Sequence, residues 1–161
     1  MSEESNAVLE TPRCYVRPFT SVDIEAFMSY RNDLDWMKYQ GFKGFTRQVY
    51  ETTLLNPQRV EDGSQLAVIR KKDHVLLGDV FLLKKEDDFW VGYTIDPSYK
   101  RQGYAYEIVQ ALTHWIQSKG DYMIKAGVEK ENLPSINLLE KSGFRRMEEE
   151  DDEFVYVWSG G

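Results

Sequence analysis

At spacings of three and four, Ala105, Ile108, Val109, Leu112, Trp115 and Ile116 predict a helix with one apolar face laid on a sheet. Lys119 and Gly120 close that helix, with a cation near the negative end and a residue suited to a left-handed cap. Elsewhere, short runs of β-branched and aromatic residues predict strands at 14–17, 66–70, 75–83, 89–95, 123–128, 144–147 and 154–158. The charged turns KKDH (71–74) and KKEDD (84–88) join the middle three as antiparallel hairpins. Three more helices are expected. One covers 22–31 behind a Thr20 or Ser21 cap, with Ile24, Phe27 and Met28 on one face, and another covers 47–55. The third is short, opened by Asn132 and Pro134 and stopped by Gly143 and Phe144. Between the first two lies an aromatic, loop-like stretch, residues 32–45. Its Trp36, Tyr39 and Phe42 are read either as the wall of an acceptor pocket or as a satellite apolar cluster.

The order strand, loop, helix, strand over residues 89–128 is a crossover unit, so its two strands should be parallel neighbours. With hairpins before it and a strand pair after it, the fold class is mixed α/β. The expectation is one domain, 1–161, built on a mostly antiparallel sheet of about seven strands flanked by about four helices. A ligand cleft is expected where the two central strands diverge.

The joint of that crossover, YTIDPSYKRQGYAYE (residues 93–107), carries the most specific chemistry. A strand ending at Ile95 delivers a loop whose backbone N–H groups need partners, and the next helix adds the positive end of its dipole. Pro97 forces a turn, and Gly103 permits a bend and a close approach closed to other residues. Lys100 and Arg101 add positive charge, while the small Ala105 lets a ligand lie against the helix start. This is a recipe for holding a diphosphate. On its own, Gly103 also reads as an ordinary turn glycine with two solvated cations beside it.

Composition narrows the partners. A net charge of −7 argues against nucleic acid as the general partner and suits a cationic one. Much of that charge sits in EEEDDE (148–153), read as a solvated turn between two strands in preference to a substrate-binding run. The single cysteine, Cys14, excludes a disulfide framework and reads as a strand thiol, and the scattered His74 and His114 give no zinc spacing, so no metal is expected. Without a spanning apolar run or a signal-peptide core, the chain is expected to be cytoplasmic and not bound to membranes.

Three motifs in register with these elements carry a family resemblance: KRQGYA (100–105), Asn132 with Ser135, and EKSGF (140–144). Together they resemble the GCN5-related N-acetyltransferase superfamily. With the opening RCYVRPFTSVDIEAFMSYRND (13–33), they are similar in particular to its ribosomal-protein N-terminal acetyltransferase branch. The resemblance implies acetyl-CoA as cosubstrate, its diphosphate held by backbone N–H groups of Arg101, Gln102, Gly103, Tyr104 and Ala105. It also implies pantetheine along the strand ending at Ile95, and a hydrogen bond from Asn132 to the pantetheine arm. Lys100 departs from the family's glutamine or arginine at the first loop position but keeps the charge. Asn132 also reads as a plain helix N-cap.

The chemistry so implied is direct acetyl transfer to an amine, either a protein N-terminus or a small cationic amine. A lysine-like amine is neutral in only about one molecule in a thousand or fewer at pH 7, so a base or a depressed pKa is needed. A backbone N–H near Ile95 is the natural donor to the developing oxyanion. Leu139 stands where many members carry a tyrosine acid, and Gly127 where some carry a glutamate base, so neither role transfers. Ser135 takes the acid's role in the similar branch, though it also reads as a serine satisfying a first helical turn. Asp79, a carboxylate interrupting an apolar strand, is expected to face a cleft or solvent and is the preferred base; a water chain serves equally. Leu139 and Gly127 keep open a non-catalytic acyl-CoA-binding or sensing module. Monomer and homodimer are both compatible with the sequence.

Overall fold

A computed structural model describes residues 7–159. The strands are β1 (Leu9–Glu10), β2 (Cys14–Arg17), β3 (Ser64–Arg70), β4 (Leu76–Lys85), β5 (Asp88–Ile95), β6 (Met123–Glu129), β7 (Phe144–Glu149) and β8 (Glu153–Trp158). The helices are α1 (Ile24–Arg31), α2 (Arg47–Leu55), α3 (Tyr104–Lys119) and α4 (Leu133–Lys141). All eight strands form one sheet in the order β1-β2-β3-β4-β5-β6-β8-β7. Among the described residues only the β5–β6 pair is parallel, because there a helix, α3, carries the chain back across the sheet to the neighbouring strand.

Both faces of the sheet are covered. On one, Ile108, Val109, Leu112 and Ile116 of α3 join Ile136 and Leu139 of α4 over the strands. On the other, α1 and α2 bring Ile24, Phe27, Tyr30, Tyr50 and Leu54 against Ala67, Ile69 and Leu76. Leu112 is fully buried, so truncating it to alanine should cost about 2–5 kcal/mol.

The expected elements form, with three differences. A two-residue edge strand, β1, precedes the first expected one and pairs Leu9 with Val16. The helix expected over 22–31 is split: Ser21–Asp23 make a single 3₁₀ turn before α1 begins. Its entry is fixed by Asp23, whose carboxylate accepts from the Thr20 backbone N–H at 2.8 Å and from Arg17 at 2.6 Å. Third, the acidic run is not all turn. Glu148 and Glu149 end β7 and Glu153 begins β8, leaving only residues 150–152 between the strands.

Asp79 also requires correction. It faces neither cleft nor solvent, being 1 % exposed. β4 is covered on both faces, so a polar residue within it has no open side. Its carboxylate instead accepts from Arg31 Nη2 at 2.5 Å, from Gln65 Nε2 at 2.6 Å and from the Tyr30 hydroxyl. Arg31 donates further to the Gly41 carbonyl at 2.9 Å and to Thr94 Oγ1 at 3.3 Å. This buried knot pins α1 to the middle of the sheet and to the segment after it. Burial pushes the Tyr30 phenol well up, with the adjacent Asp79 charge adding to the effect.

Candidate functional site

The site begins where the sheet comes apart. β5 and β6 pair only through Asp88, Phe89 and Trp90 with Met123, Ile124 and Lys125. Beyond that point β6 stays paired with β8, through Lys125 to Glu129, and β5 with β4, through Gly78 and Ile95. The β6-facing edge of β5 from Val91 to Ile95 is therefore left without a strand partner, and backbone groups there need another one.

A cavity of about 690 Å³ occupies this opening. Ile95, Lys100, Arg101, Gly103, Tyr104, Ala105, Asn132 and Ser135 all line it. Gln102, expected with them, is exposed and outside the wall. The loop reverses direction through two left-handed residues, Arg101 at φ 62° and Gly103 at φ 82°. For Arg101 this is uncommon geometry; for Gly103 it is inexpensive. Gly103 is the N-cap of α3, and its carbonyl receives the Glu107 N–H at 3.1 Å. The N–H groups of the helix's first residues have no partner within the helix, which makes this end a seat for an anion.

Three contacts steady that seat. The Glu107 carboxylate accepts from Thr11 Oγ1 at 2.5 Å, from the Arg13 backbone at 2.9 Å and from Arg13 Nε at 2.7 Å. Burial opposes its ionisation, yet these donors together outweigh burial and hold the carboxyl below its ordinary value. Glu107 thus ties the first turn of α3 to the N-terminal segment. The Arg13 guanidinium also lies 4.1 Å over the Tyr104 ring, itself buried.

Across the opening, Asn132 caps α4 by accepting from the Ser135 N–H at 3.4 Å. The cap reading of Asn132 therefore holds, and the residue also lines the cavity. The Ser135 hydroxyl lies 2.7 Å from the Tyr93 hydroxyl on β5. Burial pushes the Tyr93 phenol up to about 12, so at neutral pH it stays protonated. The sequence gives no sign of this contact, which depends on the closeness of β5 to α4. From the aromatic segment, Trp36 donates its indole N–H to the Ile95 carbonyl at 3.0 Å, and Lys100 sits 5.5 Å from its ring. The two readings of that segment divide between its residues. Trp36 and Tyr39 line the cavity, whereas Phe42 packs with Phe27, Phe45 and Tyr50.

A second cavity, of about 340 Å³, adjoins the first, and Lys38, Tyr39, Gln40, Asn132 and Ser135 line both. Gly127, Glu129, Glu153 and Lys43 also line it. Asp79 lines neither cavity, so the two expected catalytic residues, Ser135 and Asp79, are not brought together. His74 and His114 are exposed, and burial pushes the Cys14 thiol up to about 11. Among the described residues no group of three or more His, Cys, Asp and Glu side chains is placed to hold a metal ion, and no helix is long and apolar enough to cross a membrane.

Residues 13–145 match the family described as "Acetyltransferase (GNAT) domain". The chain is 28% identical over 141 residues to "Uncharacterized N-acetyltransferase YnaD" of Bacillus subtilis (strain 168), covering 86% of this chain and 82% of that one. Its fold is similar to that of a GNAT-family acetyltransferase from Bacillus anthracis, with a TM-score of 0.81 and 28% identity over 92% of this chain and 96% of that chain. A more distant similarity is to a ribosomal-protein-S5-alanine acetyltransferase from Vibrio fischeri, with a TM-score of 0.74 and 21% identity over 92% and 93% of the two chains. At that identity the likeness speaks to the fold alone.

Proposed function

The chain belongs to the GNAT acetyltransferase family, and from that premise we propose that it is a single-domain, cytoplasmic N-acetyltransferase that moves an acetyl group from acetyl-CoA directly to an amine. The observation that carries this reading is the parting of β5 from β6 beside the N-terminus of α3. A long, thin ligand with an anionic middle fits such a place, its amide groups against the unpaired edge of β5 and its diphosphate against the helix end. Gly103, Tyr104 and Ala105 offer backbone N–H groups to the diphosphate, Lys100 and Arg101 add charge, and Asn132 offers its amide to the arm. Gln102 contributes through its backbone alone. The cosubstrate supplies an acetyl group activated as a thioester.

The chain's own residues supply position and protons. A backbone N–H near Ile95 is suited to the carbonyl oxygen, where charge develops. Ser135, with the protonated Tyr93 donating to its oxygen, is suited to hand a proton to the departing sulfur. No base role is proposed for Asp79, because three donors and a sealed environment already occupy its carboxylate. The acceptor is a protein N-terminus, as in the ribosomal-protein branch that the sequence resembles, or a small cationic amine.

The test is a side-by-side panel of an N-terminal peptide, spermidine and an aminoglycoside, each with acetyl-CoA, following free thiol release. Cys14 is fully buried, so a thiol reagent reads the released CoA and not the protein. Amine-dependent thiol release is expected for at least one acceptor. Tight CoA binding without any such release would overturn the enzyme reading and mark a non-catalytic acyl-CoA-binding module.

A further inference from the structure

Glu153 stands apart from the rest of the acidic run. Its residue pairs across the sheet with Glu129, placing two like charges opposite each other on neighbouring strands. Such a pair is destabilising in a sheet unless something cationic lies between them. Neither carboxylate has a hydrogen bond or an ion pair among the described residues, whereas the nearby Glu149 is paired with Lys130 at 2.8 Å. The Glu153 carboxylate reaches diagonally over Gly127, and a Cβ built on that glycine would stand 2.6 Å from Glu153 Oε1. Position 127 is therefore bare, and the room a side chain would take there is filled by a carboxylate from the next strand. That carboxylate opens into the smaller cavity, which meets the larger one at Asn132 and Ser135.

We infer that Glu153 is the residue that receives the acceptor amine: its carboxylate binds the incoming ammonium group over Gly127 and takes one proton from it. This rests on the acetyl-transfer reading. The proton balance is simple. Glu153 accepts the first proton from the ammonium and passes it to water through the open side of the cavity. The neutral amine forms the amide bond as the carbon–sulfur bond breaks, and its second proton ends on the sulfur, by way of Ser135.

The surroundings suit both tasks. Burial, and then the charges of Glu150, Asp152 and Glu129, hold the Glu153 carboxyl above its ordinary value of 4.5, which strengthens it as a proton acceptor. Lys38 and Lys43 face the same cavity from the aromatic segment. Lys43 is engaged with the Met37 carbonyl at 2.7 Å, and Lys38 lies 5.0 Å from the Tyr39 ring, leaving the carboxylate free.

The experiment compares wild type, Glu153→Gln, and Asp151→Asn as a charge control in the exposed turn. Using whichever amine of the panel is turned over, Glu153→Gln should lower kcat/KM about 100-fold, the usual scale for losing a general base. It should also abolish the acid limb of the pH profile, which lies above pH 4.5 in wild type. CoA affinity should not change, and Asp151→Asn should behave as wild type. A merely structural role predicts that Glu153→Gln melts lower than wild type at neutral pH; a proton-accepting role predicts the opposite. Because the fold raises this pKa, ionised Glu153 costs stability, and the cost grows as pH rises from the unfolded value through the folded one. Glu153→Gln should thus melt higher than wild type at pH 7.5 and equally at pH 4. Retention of kcat/KM within about threefold overturns the inference. If wild type turns over no amine, the transfer reading fails separately, and calorimetry with spermidine on the CoA-saturated protein decides about Glu153. Binding by wild type that weakens at least tenfold in Glu153→Gln supports it; equal binding, or none by wild type, overturns it.

Discussion

On the side of Asn132 and Ser135 that faces the loop after β5, the cleft is made mostly of backbone: an unpaired strand edge, two left-handed residues and a helix N-terminus. On the other side it is made of side chains that arrive from far apart in the chain, Lys38, Glu129 and Glu153 among them. The first half depends on where the chain turns and tolerates changes in side-chain identity. The second depends on individual functional groups and can change its partner by single substitutions. A family that shares one donor and differs in acceptor is expected to divide its site in this way.

Substitutions can test this division, and the largest effect should fall on neither half. Asp79→Ala leaves the Arg31 guanidinium buried without its carboxylate and should cost about 3–5 kcal/mol, measured by urea unfolding. The protein that remains folded should keep its kcat, which would separate Asp79 from the chemistry. On the backbone side, Gly103→Glu places a carboxylate where an anion should sit and forces a left-handed glutamate. CoA affinity by calorimetry should fall about 100-fold, since like-charge contacts cost several kcal/mol. If affinity survives, the helix end is not the diphosphate seat. Ser135→Ala should reduce kcat about tenfold with KM for acetyl-CoA little changed, and Tyr93→Phe somewhat less, because the phenol acts only through the serine. The smallest effect belongs to the brace behind the loop. Glu107→Gln should cost about 1 kcal/mol or less, as its partner Arg13 is well exposed. The fold lowers this carboxyl, so the deficit should be full at pH 7 and shrink as pH falls below the ordinary value of 4.5. Urea unfolding at pH 7 and pH 4 checks the sign.

How much of this could be read in the sequence follows from the same division. The loop and helix on the first side were legible because their signals are local: Pro97, Gly103 and the three-four spacing of α3 lie within twenty-odd residues and act through backbone geometry. Asn132 and the Gly143 stop are local in the same sense. Asp79 was misread because its partners Tyr30 and Arg31 lie 49 and 48 residues away. A strand buried on both faces has no alternation to reveal which way a polar side chain points. Glu153 was hidden differently. Six acidic residues in a row look alike, and only the register of β8 against β6 separates the one that leans over Gly127 from those in solvent. The edge strand β1, two residues long, is too short to carry any period.

The three-rung join between β5 and β6 has a mechanical consequence. It is a seam: five strands lie to one side of it, three to the other, and few backbone hydrogen bonds cross it. A molecule laid along the open edge of β5 would act as a stitch, lending its own amide groups to the gap. Amide hydrogen exchange in residues 91–95 and 126–129 should therefore slow when CoA is added, while the interior of β3 and β4 exchanges at its former rate. The ligand would then serve as the part of the sheet that the chain does not encode.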